Sequence, residues 1–186
     1  VQSLGERSGL YRYHSIFQRF LLSQISDQEK RESLRKAAYF FLKTEDKVQA
    51  AEYGCRGQQP DVVQAVIEVS GEEMLRGRLY DTLERWFTFL RTQNCELAPG
   101  SRFIYGKYLW AIGQMEEGRR QIAAAGKAFY DSGRVKDYKK VLLFVASLER
   151  RAGNLKQAEM CLEQVEADPE RYWGELAEAV CAERVK

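Results

Sequence analysis

The sequence predicts an all-α protein, and three observations support this class. Residues with high helix propensity (Leu, Ala, Glu, Lys, Arg and Gln) are abundant in the 186-residue chain. Its three prolines, which would interrupt helices, are far apart at Pro60, Pro99 and Pro169. Apolar residues recur with a helical period from Ser15 onward. We therefore expect helices throughout, preceded by a short N-terminal β-hairpin.

The residues before Ser15 have the pattern of a β-hairpin. Residues 1–4 and 10–13 are short extended candidates, and the linking residues 5–9 begin and end with glycine, as a hairpin loop favours. A two-stranded ribbon needs a body to pack on. A hairpin that leads directly into a helix is typical of the wing of a winged helix. We therefore assign residues 1–25 to the C-terminal part of a winged-helix domain.

The helical pattern after the hairpin first gives a helix with an apolar face, formed by Ile16, Phe17, Phe20, Leu21 and Ile25. Asp27 is the predicted N-cap of the next helix, with Lys30 at the third position after it. Pro60 is expected in the first turn of a valine-rich helix. We assign residues 26–70 to a helical linker.

Three glycines then mark a recurring pattern. Gly77, Gly113 and Gly153 each precede a predicted helix and are each followed two residues later by an apolar residue. The spacings between them are 36 and 40 residues. A small residue stands five positions after each glycine and another stands seven positions before it. These small residues are Thr82, Gly118 and Ala158, and Ser70, Gly106 and Ala146.

This pattern resembles the tetratricopeptide repeat, in which two helices reverse at a turn and approach closely at small residues. We expect residues 71–186 to form TPR-like αα-hairpins that stack into a right-handed superhelix. Gly133 adds a turn outside this period, so the helix over residues 115–131 should be longer than a standard repeat helix. An irregular helical bundle, which also uses glycine turns and small crossing residues, remains the alternative.

Composition argues against several functions. A net charge of +2 gives no sign of nucleic-acid binding. The four cysteines form no C-x-x-C pair, and the single histidine, His14, cannot complete a usual zinc site with them. Free thiols of this kind suit a reducing, cytoplasmic environment. No apolar run approaches the roughly 20 residues of a membrane span, so we expect no membrane association.

Catalytic motifs are also missing from the sequence. It contains no G-x-x-x-x-G-K-[ST], no G-x-G-x-x-G and no H-E-x-x-H. Adjacent acids such as Glu72 and Glu73 do not face one another on a helix and therefore do not form a two-carboxylate site. We expect the chain by itself to be neither an enzyme nor the holder of a cofactor.

The tripeptide Tyr13-His14-Ser15 resembles the Met-His-Asp element of the winged-helix domain in STAND-type signalling ATPases. The wider segment YRYHSIFQRFLL, residues 10–21, looks like the corresponding part of MalT-like bacterial transcription regulators. The resemblance is most specific over residues 10–25. It implies an internal piece of a larger switch protein, with a nucleotide-binding domain before Val1 and a DNA-binding domain, often of LuxR type, elsewhere.

The resemblance also implies a role for His14 as nucleotide sensor. In STAND ATPases the corresponding histidine reaches the β-phosphate of bound ADP and holds the inactive state. Tyr13 and Ser15 replace the Met and Asp of the family motif, which puts the Asp-type contact in doubt. ATP and ADP would bind the missing domain, so His14 would be idle in this fragment. From the residues alone, the simpler interpretation of His14 is a half-buried histidine that caps or anchors the first helix.

By this resemblance, the fragment transmits the binding of a small-molecule inducer or protein partner to the nucleotide switch, without contacting nucleic acid itself. A stand-alone TPR-like interaction scaffold is the alternative, and DNA binding by the winged-helix part is disfavoured by the missing recognition helix. The candidate interaction surface consists of five aromatic residues, although such residues more often belong to the helical core: Tyr105, Tyr108, Trp110, Tyr138 and Trp173.

Overall fold

The computed structural model describes residues 2–3, 11–12 and 14–166, and this part is predominantly helical. Its two short strands are β1 (Gln2–Ser3) and β2 (Tyr11–Arg12). Its helices are α1 (Ser15–Gln24), α2 (Asp27–Lys43), α3 (Lys47–Arg56), α4 (Pro60–Arg76), α5 (Tyr80–Thr92), α6 (Pro99–Ala111), α7 (Met115–Asp131), α8 (Val135–Arg151) and α9 (Leu155–Glu166). The all-α class is confirmed for the described residues.

β1 and β2 pair antiparallel, with Gln2 opposite Arg12 and Ser3 opposite Tyr11. The residues that would link the two strands lie outside the described part of the chain. The complete hairpin, and its assignment to a winged helix, therefore stay predictions. The predicted helix that carries Trp173 also lies outside the described residues.

Helix α2 begins at a capping box, one residue earlier than predicted. Ser26, not Asp27, is the N-cap: its hydroxyl accepts from the backbone N–H of Glu29 at 3.3 Å. The Glu29 carboxylate in turn accepts from the backbone N–H of Ser26 at 2.8 Å. The hydrogen bond from the Ser26 backbone N–H lowers the pKa of the Glu29 carboxyl, and the hydrogen bond from the Ser26 hydroxyl lowers it further. The Asp27 assignment was wrong because the Ser-x-x-Glu pattern satisfies two backbone donors at once.

The turns of the second half share one geometry. Gly113, Gly133 and Gly153 have φ angles of 88°, 68° and 82°, which glycine adopts without steric cost. At the first turn the N–H of Gly113 donates to Trp110 O at 3.1 Å, and the N–H of Gln114 donates to Leu109 O at 2.9 Å. This Schellman pair recurs at the other two glycines, so the chain reverses by the same motif every 20 residues. The described helices thus have a helical-repeat-like organisation.

The turn between α4 and α5 uses the same hydrogen bonds, but one residue later than the sequence pattern indicates. The left-handed residue is Arg78, with φ 56°, and not Gly77. Its N–H donates to Leu75 O at 3.1 Å, and the N–H of Leu79 donates to Met74 O at 2.9 Å. Equivalent turn positions are therefore 35 residues apart between Arg78 and Gly113, not the 36 that the glycines give. Other non-glycine residues with positive φ are Glu45, Gln58 and Asn94.

The predicted close approach at small residues is present between α6 and α7. A Cβ added to Gly106 would lie 2.6 Å from Ile122 Cγ1 and 3.0 Å from Gly118 O. A Cβ added to Gly118 would lie 2.9 Å from Gly106 O. The two backbones therefore touch directly. In the next hairpin the equivalent small residues, Ala146 and Ala158, are both buried.

The chain divides into two compact units. One contains the described residues up to Val66 together with Arg85–Cys95, and its buried side chains include Val62, Val63 and Trp86. The other contains Ile67–Glu84 and the described residues from Glu96 on, with a core formed by Phe103, Ile122, Ala125, Phe129 and Val141. The functional assignments of residues 1–25, 26–70 and 71–186 stay predictions.

Candidate functional site

His14 stands at the N-cap position of α1, with φ −55° and ψ 141°. Its side chain makes no capping hydrogen bond, and the residue is exposed. The reading of His14 as a half-buried anchor of the first helix is therefore wrong. The imidazole is accessible to a hydrogen-bond acceptor such as a phosphate oxygen, because an imidazole N–H can donate to one.

The apolar face of α1, directly after His14, is also exposed. Ile16 is 70% exposed and Phe20 is 56% exposed. Phe17, Leu21 and Ile25 are exposed as well, and the rings of Phe17 and Phe20 stack with centroids 6.3 Å apart. A contiguous apolar face of this kind is typical of a surface on which another body packs.

Among the five predicted aromatic residues, the structure brings Tyr105 and Tyr108 together. Their rings stack with centroids 6.2 Å apart, and Tyr80 meets Tyr108 edge-on at 6.4 Å. Tyr108 is only 5% exposed, so its ring lies in the interior. Burial raises the pKa of the Tyr108 hydroxyl, and the nearby Glu84 carboxylate raises it further. Trp110, at the C-terminal end of α6, is half-buried.

Of the two remaining predicted aromatic residues, the structure describes only Tyr138. Tyr138, half-buried on α8, meets the exposed Tyr130 edge-on with centroids 5.4 Å apart and also packs against the core cluster that contains Phe129. Trp173 lies outside the described residues. The contacts of Tyr138 are therefore mainly those of a core residue, and a single aromatic surface stays a prediction.

A cavity of about 820 Å³ lies where α7, α8 and the beginning of α9 meet. Sequence reasoning did not indicate it. Its lining combines charged, amide and apolar groups: Arg119 from α7, Val145 and Glu149 from α8, Gly153 and Asn154 from the turn, and Leu155, Lys156 and Gln157 from the first turn of α9. We call it the turn cavity.

Glu149 is the buried charge of the turn cavity, with 6% of its surface exposed. Its Oε1 lies 3.2 Å from Nη1 of Arg119, and its Oε2 accepts from Nδ2 of Asn154 at 2.7 Å. A buried carboxylate without such partners would be strongly destabilising. Here one oxygen accepts a hydrogen bond from Asn154 and the other lies within ion-pair distance of Arg119, an arginine that remains largely exposed. Burial raises the pKa of the Cys161 thiol, and the negative charge of Glu149 raises it further.

The turn itself holds Glu149 in place. The backbone carbonyl of Glu149 accepts from the N–H of Asn154 at 2.8 Å, as part of the Schellman pair at Gly153. Sequence reasoning made no prediction for Glu149, so its burial was missed. The available signal was an Asn directly after the turn glycine, because that residue can close the turn with its amide as well.

Lys107 is a further charged residue whose partners belong to the fold itself. Its ammonium lies 4.9 Å from the ring centroid of Phe103 and 4.6 Å from that of Phe144, and it pairs with the carboxylate of Glu72. Cation–π contacts and an ion pair thus tie α4, α6 and α8 together. The aromatic rings are already occupied by this lysine, so the arrangement stabilises the fold.

Within the described residues no group of three His, Cys, Asp or Glu side chains could hold a metal ion. Burial, with a smaller effect of Glu52, raises the pKa of Cys55 to about 12, so its thiol is protonated at neutral pH. None of the helices in the described part is long and apolar enough to cross a bilayer.

The chain matches no protein-family model, no curated protein and no solved structure.

Proposed function

We propose that this chain is a non-catalytic segment of an ATP-dependent bacterial transcription regulator, in which it couples a helical-repeat sensor to a nucleotide switch. Its partners would be the nucleotide-binding and DNA-binding domains of the same protein, together with a small-molecule inducer or a protein. ATP or ADP would bind the missing domain, in the cytoplasm. The fragment itself would contact neither nucleic acid nor membrane.

The exposed apolar face of α1 is the observation that carries this proposal. It follows His14 directly, and it presents Ile16 and two phenylalanines to solvent. A covering body that buried this face would remove apolar surface from water, at about 25 cal/mol per Å². It would also bring the exposed imidazole close to that body. A nucleotide-binding domain in this place fits both features, because a bound phosphate would give His14 an acceptor.

Coupling further requires that α1 has two arrangements that the sensor favours unequally. The repeated Schellman turns make α6 to α9 a regular set of packed hairpins. Such a set can transmit a shift at one hairpin to the next, because each hairpin contacts its neighbour.

Hydrogen–deuterium exchange tests the docking of α1. The 186-residue chain should be compared with a longer polypeptide that includes the predicted upstream domain, with and without ADP. We expect the amides of Ser15–Gln24 to exchange about tenfold more slowly in the longer protein, because packing on the apolar face suppresses local opening. The amides of Asp27–Lys43 serve as the internal control. Equal exchange of α1 in both proteins would contradict the proposal.

A stand-alone interaction scaffold is the second candidate, and a different set of exposed residues favours it. Leu79, Met115 and Leu155 are all exposed and follow the turns of successive hairpins. A partner that bound these turns would not need a nucleotide. The exchange experiment separates the two functions, because the switch predicts that ADP changes the protection of α1 in the longer protein and a scaffold predicts no effect of ADP.

A further inference from the structure

We propose that the turn cavity binds a small carboxylate, namely a single negative charge carried on a short, branched apolar group. The carboxylate would be held by Lys156 and by the unused N–H groups of Arg119, and the apolar group would lie against Val145 and Leu155. The cavity would then be a ligand site of the repeat region. Only its further role as the inducer site rests on the proposed function.

The lining of the turn cavity has more hydrogen-bond donors than acceptors. Arg119 uses only Nη1 toward Glu149, so its other N–H groups have no acceptor among the described residues. Lys156 and Gln157 form no ion pair or side-chain hydrogen bond within the same part of the chain. Because these donors line one cavity, a ligand that brings acceptors complements it better than one that brings further donors.

The charges of the cavity favour a monoanion. Arg119 and Lys156 are positive, and Glu149 is negative, so the lining carries one net positive charge. Glu149 is already bonded to Arg119 and Asn154, which reduces its demand for a cationic ligand. One additional negative charge would neutralise the cavity. A dianion such as phosphate would leave an excess negative charge close to a buried carboxylate, which is unfavourable.

The apolar side chains of the lining indicate which uncharged group the ligand should carry. Val145 is half-buried, and Leu155 is 66% exposed although it lies beside charged groups. A branched group of a few carbons would cover both side chains and remove apolar surface from water. Small-molecule sites commonly combine such apolar walls with a few polar groups that fix the orientation of the ligand.

Isovalerate is the appropriate first probe, with isovaleramide as its neutral isostere and inorganic phosphate, kept at a pH above its second pKa, as the dianion. We would titrate each into the isotopically labelled 186-residue chain and follow the backbone amide shifts by NMR. We expect isovalerate to bind in the millimolar range, as suits so small a ligand. The shifts should concentrate at Arg119, Val145, Glu149 and residues 153–157. The amide and phosphate should bind at least about fivefold more weakly.

Two lysine variants test the position of the charge. Lys156→Gln should weaken isovalerate binding by about threefold to tenfold, because it removes the charge that faces the carboxylate. Lys127→Gln changes the net charge equally on the exposed surface of α7, outside the cavity lining, and should leave the affinity unchanged. Equal weakening by both variants would show a general charge effect and overturn the site.

Glu149→Gln tests the sign of the ligand charge. The amide keeps the shape of the side chain and removes the negative charge within the cavity, so isovalerate should bind at least about twofold more tightly. A site for a cation would instead lose affinity in this variant. Circular dichroism identifies a variant that no longer folds. In that case the Lys156→Gln and Lys127→Gln pair decides the question.

Two kinds of molecule carry this chemistry: a free short-chain acid and the C-terminal residue of a peptide. An acetylated tripeptide that ends in leucine distinguishes them. Tighter binding than isovalerate, with the same amide shifts, would identify a peptide terminus as the ligand, and weaker binding would identify the free acid. The proposal is overturned if isovalerate causes no shifts at the turn cavity, or if isovaleramide or phosphate binds as well. None of these outcomes depends on α1 or on nucleotide, so they are independent of the proposed coupling function.

Discussion

Arg78 closes the turn between α4 and α5 in a backbone conformation that glycine occupies at three later turns. Its φ of 56° is left-handed, and the side chain is exposed. The left-handed conformation costs a non-glycine residue roughly 1–2 kcal/mol, because Cβ approaches the backbone carbonyl oxygen. The Schellman hydrogen bonds at this turn are nevertheless complete. The turn type is thus set by hydrogen bonding, and the residue at φ > 0 determines only how much strain it stores.

Arg78→Gly should therefore stabilise the chain. We expect the free energy of unfolding to rise by about 0.5–1 kcal/mol, which is the relief of strain less the extra entropy of glycine in the unfolded state. The reverse change at the equivalent position, Gly113→Ala, should lower it by about 1 kcal/mol. Urea denaturation followed by circular dichroism measures both shifts. A loss of stability in Arg78→Gly would show that the arginine side chain contributes more than its backbone costs.

Single residues also mark where sequence reasoning succeeded and failed. Gly113 and Gly153 were recognisable as turn residues, because glycine favours positive φ and stood at a helical boundary. Ser26 was missed as N-cap by one position, although Glu29 completes a capping box with it. The burial of Glu149 was missed, because the arginine that pairs with it lies on a different helix and its one local signal was the asparagine after the turn glycine.

At the scale of elements, the α6–α7 crossing depends on the absence of side-chain atoms. Gly106 and Gly118 let the two backbones touch, with Ile122 packed against Gly106. The added Cβ atoms would meet backbone atoms, which cannot move without separating the helices. The crossing thus fixes the distance at which the aromatic and apolar side chains of this hairpin pack.

Gly118→Ala should destabilise the chain by about 1–2 kcal/mol, because overpacking outweighs the roughly 1 kcal/mol that alanine gains in helix propensity. Gly126→Ala on the same helix is the matched control. Its added Cβ would lie 3.1 Å from a methyl group of Val141, which is a side chain that can adjust. We expect this control to be nearly neutral in urea denaturation. Equal effects of both variants would mean that the crossing does not require glycine.

Helix bounds were largely predictable, whereas the environment of each helix was not. Pro60 begins α4, and the helix over residues 115–131 was confirmed, because proline position and apolar periodicity are local signals. The periodicity of α1 correctly gave an apolar face, but it did not indicate that the face would be exposed. A sequence pattern identifies the apolar side of a helix, but what packs against that side depends on the tertiary structure.

At the scale of the whole molecule, the repeat-like organisation follows from turns that recur every 20 residues in the second half. The first half has non-glycine residues at its positive-φ positions, so glycine spacing alone could not reveal its turns. The TPR-like right-handed superhelix stays a prediction. So does the switch function, which depends on the resemblance over residues 10–25 and on the exposed face of α1.

ADP binding by the longer polypeptide, measured by calorimetry with and without His14→Ala, tests the coupling function most directly. We expect the 186-residue chain not to bind ADP and the longer protein to bind it. His14→Ala should weaken that binding by about tenfold or more, which corresponds to one hydrogen bond to a charged phosphate. Gln24→Ala, at the exposed C-terminal end of α1, is the control and should change nothing. An unchanged ADP affinity in His14→Ala, or no ADP binding by the longer protein, would contradict the nucleotide-sensor account and favour the interaction scaffold.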